Sequence, residues 1–431
     1  TMMNTHFLLG LLLSVFVCGA CTSTSNQKQF ITVKNGQFIK NDRPYYYIGT
    51  NFWYGAILGS EGEGGDKNRL IAELDSLAAI GVDNLRILVG ADGVNGVTAK
   101  VEPTLQVAPG VYNDTILAGL DYLLCEMDKR DMSAVLYLNN SWEWSGGYGQ
   151  YLEWAGYGKA PIPAVDGWDK FQMFVGQYQK SDSCKALFAD HVRNIVTRTN
   201  RYTGRKYIDD PTIMSWQIGN EPRAFGEENK VSYALWIHEV ANLIKGLDPN
   251  HLISTGSEGY QGTEGDIQLW ELIHSYKNVD YMTIHIWPYN WGWAKKNDLS
   301  GTLAYSIEQT TIYIQKHLQI AEKYGRPLVI EEFGFPRDEF SFEIESSTEN
   351  RDAYYESVFG KVLENSITKG YLAGCNFWAW GGSAKKNEAH TFWVKGDDYM
   401  GDPAQEEQGL YSVFQSDTSV DMVKKYNVKM N

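Results

Sequence analysis

The chain has 431 residues, 43% of them hydrophobic, which is enough for a large buried core and too many for a disordered chain. Its formal charge is −15, and no stretch is basic enough to follow a phosphate backbone, so nucleic acid is a poor partner class. The 53 acidic residues otherwise describe a solvated surface and select no function by themselves.

In chain order, the first feature is Phe7–Val17 (FLLGLLLSVFV), an apolar run without charge. It is too short to span a membrane, which takes roughly 20 residues, and it has the length of a signal-peptide core. Cys18-Gly19-Ala20-Cys21 and a polar stretch follow, an arrangement that resembles a bacterial lipoprotein signal with Cys21 as the acylated residue. The segment departs from that pattern in carrying no Lys or Arg before the run and in having Cys18 where an aliphatic residue is usual. Residues 1–21 are thus expected to be a leader, 22–29 a polar tether, and 30–431 one folded domain. The predicted location is secreted, on a cell envelope or outer membrane, with membrane contact only through the lipid anchor. A monomer is expected. Beyond the leader, Cys125, Cys184 and Cys375 lack the short spacing of a metal or redox site and read as buried free thiols, with one optional disulfide.

From Gln29 onward, strand-like and helix-like segments alternate. Tyr45–Trp53 reads as a first strand. Lys67–Ala79 has helical period, with Leu70, Leu74 and Leu77 on one face, and Gly81 stops it. Strand Val82–Val89, helix Thr115–Arg130 and strand Ser133–Asn139 come next, then a long aromatic loop from Asn140 to about Tyr178. Helix Asp182–Tyr202, strand Thr212–Ile218, helix Lys230–Gly246 and the short strand His251–Thr255 follow. The last elements are strand Val279–Ile286, helix Thr302–Tyr324, strand Pro327–Glu331, helix Asn350–Lys369 and strand Leu372–Trp380. Residues from Gly409 to Asn431 are expected to close the final turn. Eight strands alternating with helices predict an α/β fold, a single-domain (β/α)8 TIM barrel. No Gly-rich dinucleotide fingerprint, Walker loop or repeat is present.

In such barrels chemistry sits at the C-terminal ends of the strands. The predicted strands end, in order, on Asn51 and Trp53; Arg86; Asn139 and Asn140; Asn220 and Glu221; His285 and Trp287; Glu331 and Glu332; Trp378 and Trp380. Polar groups and indoles converging on one rim are what a sugar-cleaving cleft requires, since sugar rings present flat apolar faces. Strands four and seven face each other across a barrel of eight, which brings Glu221 and Glu332 together. Two carboxyls about 5–5.5 Å apart split their pKa values and serve as acid/base and nucleophile of a retaining glycosidase. In that reading Arg86 keeps Glu332 ionised and Asn220 bonds the sugar 2-hydroxyl. A single Glu in so acidic a chain is ordinarily a surface group. The functional reading comes from Asn-Glu-Pro at one strand end joined to Glu-Phe-Gly at another. His285 alone is more often a satisfied core histidine, and Glu331, next to Glu332, is expected to point away and be structural. The eight His show no metal-binding spacing and no serine elbow is present, so neither a metal nor another cofactor is expected.

These residues resemble glycoside hydrolase family 5, and within it the endo-β-1,4-mannanases, over nearly all of the chain from Phe30. Trp216-Gln217-Ile218-Gly219-Asn220-Glu221-Pro222 resembles the family's acid/base motif, and Ile330-Glu331-Glu332-Phe333-Gly334 its nucleophile motif. The resemblance implies substrate-site roles for Arg86, Asn220, His285 and Trp378. The strand-one end Gly49–Trp53 and the loop Asn139–Gly156 resemble the mannanases more narrowly, which implies sugar contacts for Trp53, Asn139 and Trp142. One departure is His285-Ile286-Trp287, where the family often has His-x-Tyr; an indole N–H can donate to the nucleophile but cannot accept. The implied activity is cleavage of internal β-1,4-mannosidic bonds in a mannan-type polysaccharide by double displacement. The alternatives are an endo-β-1,4-glucanase on the same fold and a non-catalytic glycan-binding lipoprotein.

Overall fold

Eight apolar runs, buried on both faces, build one parallel sheet, the pattern of strands covered by helices on one side and packed on each other on the other. In the computed structural model, which describes residues 27–431, they are β1 (Tyr47–Asn51), β2 (Asn84–Leu88), β3 (Ser133–Tyr137), β4 (Ile213–Gln217), β5 (Leu252–Ser254), β6 (Met282–Ile286), β7 (Leu328–Phe333) and β8 (Leu372–Phe377). The hydrogen-bonded order is β5-β4-β3-β2-β1-β8-β7-β6, the chain order wrapped round a circle. The two end strands meet through the Asp280 N–H donating to the Ile253 carbonyl (2.8 Å) and the His285 N–H donating to the Glu258 carbonyl (3.1 Å). The sheet is therefore a nearly closed barrel, the (β/α)8 fold that the alternating pattern predicts.

One helix follows each strand: α1 (Lys67–Ala79), α2 (Asp114–Asp128), α3 (Asp182–Val196), α4 (Lys230–Leu247), α5 (Ile267–Ser275), α6 (Leu299–Tyr324), α7 (Glu349–Thr368) and α8 (Ser419–Met430). Their starts are set by side-chain caps. Asp66, Ser181, Asp266 and Asp298 each accept from backbone N–H groups of the first turn. Leu70, Leu74 and Leu77 face the sheet as their spacing predicts. Helix α3 stops at Val196, six residues short of the expected end. Helix α5 was not anticipated, being nine residues long in a stretch rich in turn formers.

Two irregular regions shape the ends of the barrel. At the N-terminal end, residues 32–44 form three short antiparallel strands. They lay Phe38 against Tyr281, edge to face at 5.0 Å, and shut the lower mouth together with Met214, Leu252 and Val329. At the C-terminal end, the aromatic loop after β3 carries short helices at Gly147–Trp154, Pro163–Asp166 and Trp168–Val175, where the sequence suggested irregular chain. The segment between β8 and α8 is irregular apart from short stretches, and buried carboxylates fix it. Asp402 accepts from the backbone N–H groups of Gly409, Tyr411 and Ser412. Asp417 takes both Arg337 and Arg351, the latter at 3.0 Å. Cys184 and Cys375 are buried free thiols, and Cys125 is a half-buried one. The leader, Cys21 and the first part of the tether lie outside the described residues.

Asp417→Ala would leave two buried guanidinium groups facing each other. Removing one partner of a buried ion pair costs about 3–5 kcal/mol. Equilibrium urea unfolding should show a loss of that size, while Asp182→Ala, whose carboxylate is fully exposed, should change stability little.

Candidate active site

The strand ends deliver a cluster of charge to the upper mouth of the barrel. At its base is Arg86, fully buried on β2. Its guanidinium donates to Glu332 Oε1 (2.6 Å), Asn51 Oδ1 (3.1 Å), Gln217 Oε1 (2.8 Å) and Asn220 Oδ1 (2.8 Å), and lies over the Tyr137 ring. Burial works against its charge, but the carboxylates of Glu332 and Glu331 outweigh that and raise its pKa further. The other oxygen of Glu332 accepts from the Trp287 indole N–H at 3.2 Å. Trp287 thus supplies the bond that a tyrosine would otherwise make.

Glu221 stands opposite, at a left-handed backbone position (φ 48°) just past β4. The Trp142 indole N–H donates to its Oε1 (2.9 Å), and His285 Nδ1 lies 2.9 Å from its Oε2. The ligating atoms of Glu221, His285 and Glu332 all lie within 4.8 Å of one another. That spacing is shorter than the roughly 6.5–9.5 Å that separates the carboxyls of an inverting pair. Those atoms are also the best candidates for a metal ion, but each carboxylate already takes two N–H donors, with Arg86 against Glu332.

His285 bridges three carboxylates, its Nε2 reaching Glu331 Oε2 at 3.2 Å. Burial opposes its charge, but Glu332, Glu221 and Glu331 together raise its pKa well above the ordinary histidine value. Glu258, from the loop after β5, completes the set. It pairs with Arg223, whose guanidinium lies 5.0 Å over Trp142. Burial pushes the Glu258 carboxyl up, and the neighbouring charge of Glu221 adds to this despite Arg223. Burial also opposes ionisation of Glu221, but Glu258 and His285 offer it hydrogen bonds that hold it low. Arg86, Arg223 and protonated His285 give three positive charges against the four carboxyls of Glu221, Glu258, Glu331 and Glu332. The opposite directions of the two shifts place a proton on Glu258, beside an ionised Glu221.

Above this cluster opens a cavity of about 650 Å³, walled by Trp142, Trp144, Trp168, Trp287, Trp291 and Trp378. Trp378 stands edge-on to both Trp144 (6.1 Å) and Trp287 (6.4 Å). Glu143, Gln405 and Glu406 line the cavity, and each keeps one buried side-chain oxygen without a protein partner. Burial pushes the Glu143 carboxyl up to about 7. Burial and the nearby negative charges raise Glu406 well above its usual range.

A family model described as glycoside hydrolase family 5, β-mannosidase-like, matches residues 28–431. The chain belongs to glycoside hydrolase family 5. It is similar to a family 5 mannosidase from Rhizomucor miehei, with 33% identity, a TM-score of 0.85, and coverage of 93% of this chain and 97% of the other. A putative mannan endo-1,4-β-mannosidase from rice is 29% identical over 362 residues, 81% of each chain. An endo-1,4-β-mannanase structure from R. miehei shares the fold, at 22% identity and a TM-score of 0.68. This family 5 protein is accordingly a glycoside hydrolase.

The sequence-derived site residues fall into two groups. Asn220, Glu221, Trp142, Trp287, Glu332 and Trp378 line the cavity of this hydrolase. Arg86 and His285 lie beneath it and hold the carboxyls rather than meeting a ligand. Two expectations need correction. Trp53 packs behind Trp144 (6.2 Å), with its N–H spent on the Gly401 carbonyl. Asn139 turns away and donates to the Tyr178 hydroxyl at 2.9 Å. Both sit two residues past a strand end, where the chain has begun to curve behind the rim. Glu331 also departs from the expectation that it points away. A register shift between Ile284 and His285 leaves Glu331 within reach of Arg86, Gln217 and His285. Sequence reasoning missed Arg223, Glu258, Gln405, Glu406 and Tyr411. Of these only Arg223, two residues past Glu221, carried a positional signal.

Because burial raises the Glu143 pKa above its unfolded value, the folded state binds that proton more tightly. Its contribution to stability is complete below about pH 4.5 and is lost as pH rises through about 7. Unfolding midpoints measured from pH 4 to 8 should therefore fall less steeply for Glu143→Gln than for the parent.

Proposed function

We propose that the chain cleaves β-1,4-mannosidic bonds in mannan-type polysaccharides with retention of configuration. The observation that carries this reading is the pair of opposed carboxyls, Glu221 and Glu332, with oxygens within 4.8 Å and unlike partners. Glu332, ionised beside Arg86, attacks the anomeric carbon and forms a glycosyl ester. Glu221 takes up the proton from Glu258, passes it to the departing oxygen, and then removes one from the attacking water. Asn220 bonds Arg86 through its Oδ1 and Asn140 through one N–H. Its second N–H remains for the sugar 2-hydroxyl, a contact that strengthens in the transition state. Trp378 provides the flat floor for the ring being cleaved. The mannan preference rests on the rice relative and the Rhizomucor enzymes.

Internal cleavage is the reading of the sequence motifs. Release of terminal mannose is a second reading, favoured by the segment after β8. It stands Gln405, Glu406 and Tyr411 along one side of the cavity, and the 33%-identical Rhizomucor relative is a mannosidase. We also propose export and lipid attachment at Cys21. In that case Cys21→Ala should move the protein from the membrane to the soluble fraction, and unchanged fractionation would remove the anchor.

The deciding assay is product release from mannan and from cellulose side by side, with Glu332→Ala as control. Oligosaccharides from mannan alone, absent in the variant, are expected. Products from cellulose alone would keep the mechanism and overturn the substrate. Glu221→Ala should lose about 10²- to 10⁴-fold on mannan and far less on a dinitrophenyl mannoside, whose leaving group needs no proton. Equal losses on both would sink Glu221 as the acid.

A further inference from the structure

A second concavity adjoins the catalytic cavity and takes no part in the chemistry above. It has a volume of about 450 Å³ and is formed by residues 96–102, after β2, and 392–395, after β8. Its character is apolar and aromatic. Phe392 and Val394 are 48% and 46% exposed, two large apolar side chains on alternate positions of one short segment. Trp393 lies between them, stacked on Tyr399 at 5.3 Å with its N–H fixed to the Asp397 carbonyl (3.1 Å). The opposite bank is also anchored. Lys100 Nζ donates to the Asp92 carbonyl at 3.0 Å, and Asn95 Oδ1 accepts from the Thr104 N–H at 2.9 Å. Both banks are held by the protein itself, so the groove needs no ligand to form.

What points to an occupant is continuity. Ala164 and Gln405 line both this groove and the catalytic cavity. Between them they form the ridge over which a ligand extending out of the cavity must pass. Gln405 is thus a side chain that both concavities share, and its buried carbonyl oxygen has no protein partner. The sheet order gives the direction. Arg223 and Glu258, which flank the proposed acid Glu221, follow β4 and β5 and mark the leaving-group side. The groove lies over the opposite arc, β8-β1-β2.

We propose that this groove is a distant glycone subsite, holding units of a β-1,4-linked mannan chain on the non-reducing side of the bond that is cut. The inference rests on the reading of the cavity as a mannan-cleaving site. It deepens that reading, because a chain lying across Gln405 has its scissile bond in its interior and not at its end. Aromatic faces suit a pyranose chain, and Lys395 and Glu102 at the margins can meet its hydroxyls.

The test uses the full chain carrying Glu332→Ala, titrated by calorimetry with mannobiose and with mannohexaose. The hexaose should bind at least about tenfold more tightly. Phe392→Ala and Trp393→Ala should each weaken hexaose binding several-fold and leave mannobiose unchanged. Thr98→Trp, on an exposed position of the opposite bank, should do the same by filling the groove, and it guards against a loss of packing around Trp393. In the active enzyme the same three substitutions should lower kcat/KM for the hexaose and not for mannotriose. Hexaose binding unchanged in all three variants, or equal losses for both sugars, would overturn the groove. Mannotriose cleavage by the parent separates that outcome from failure of the mannan reading, which would abolish activity on both substrates.

Discussion

The site depends on one buried guanidinium. Arg86 reaches the centre of the barrel with no exposed surface, and a charge so placed is tolerated only when its donors are matched. It is matched by Asn51 on β1, Gln217 on β4, Asn220 just past the end of β4, and Glu332 on β7. Three strands are thereby tied to β2 through a single planar group, and Glu332 is fixed in place and in charge. The remaining residues can be read as a response to that constraint. Glu331 and Glu258 bring further negative charge, His285 and Arg223 bring positive charge, and the imbalance of one is met by a proton. That proton is the reagent a glycosidase needs.

The architecture separates two tasks. Charged groups stand at the ends of strands, where neighbouring backbone bonds hold them still. The walls are aromatic and come from the loops after β3, β6 and β8, where shape can vary without disturbing the carboxyls. Trp142 and Trp287 belong to both systems. Each presents a ring to the cavity while its N–H is committed to one of the two carboxylates. A ligand pressing on either indole therefore acts directly on a reacting group.

Much of this was legible from spacing alone. The eight strands announce themselves because parallel strands buried on both faces are short apolar runs. Glu221 and Glu332 stand out because a carboxylate ending such a run is expensive unless it has work to do. Trp53 and Asn139 were misplaced for a related reason: adjacency to a strand end does not say whether the next side chain turns inward or behind the rim. Glu331 was misjudged because strict alternation assumes an unbroken register, and the shift beside His285 breaks it. The segment after β8 was beyond reach. Its order comes from Asp402 and Asp417 meeting partners across the fold, so it leaves no periodic trace, and Glu406 had nothing local to mark it.

Near the other end of α8, the Asn427 side-chain amide donates to the carbonyls of Ile48 (3.4 Å) and Ile80 (3.1 Å). The first strand of the barrel and the turn before the second are thus tied off by one of the last residues of the final helix. During synthesis, a ribosome would have to translate all eight strands and most of α8 before β1 could meet this partner. The early strands therefore emerge with these lower carbonyls unclaimed, and the complete circle waits for α8.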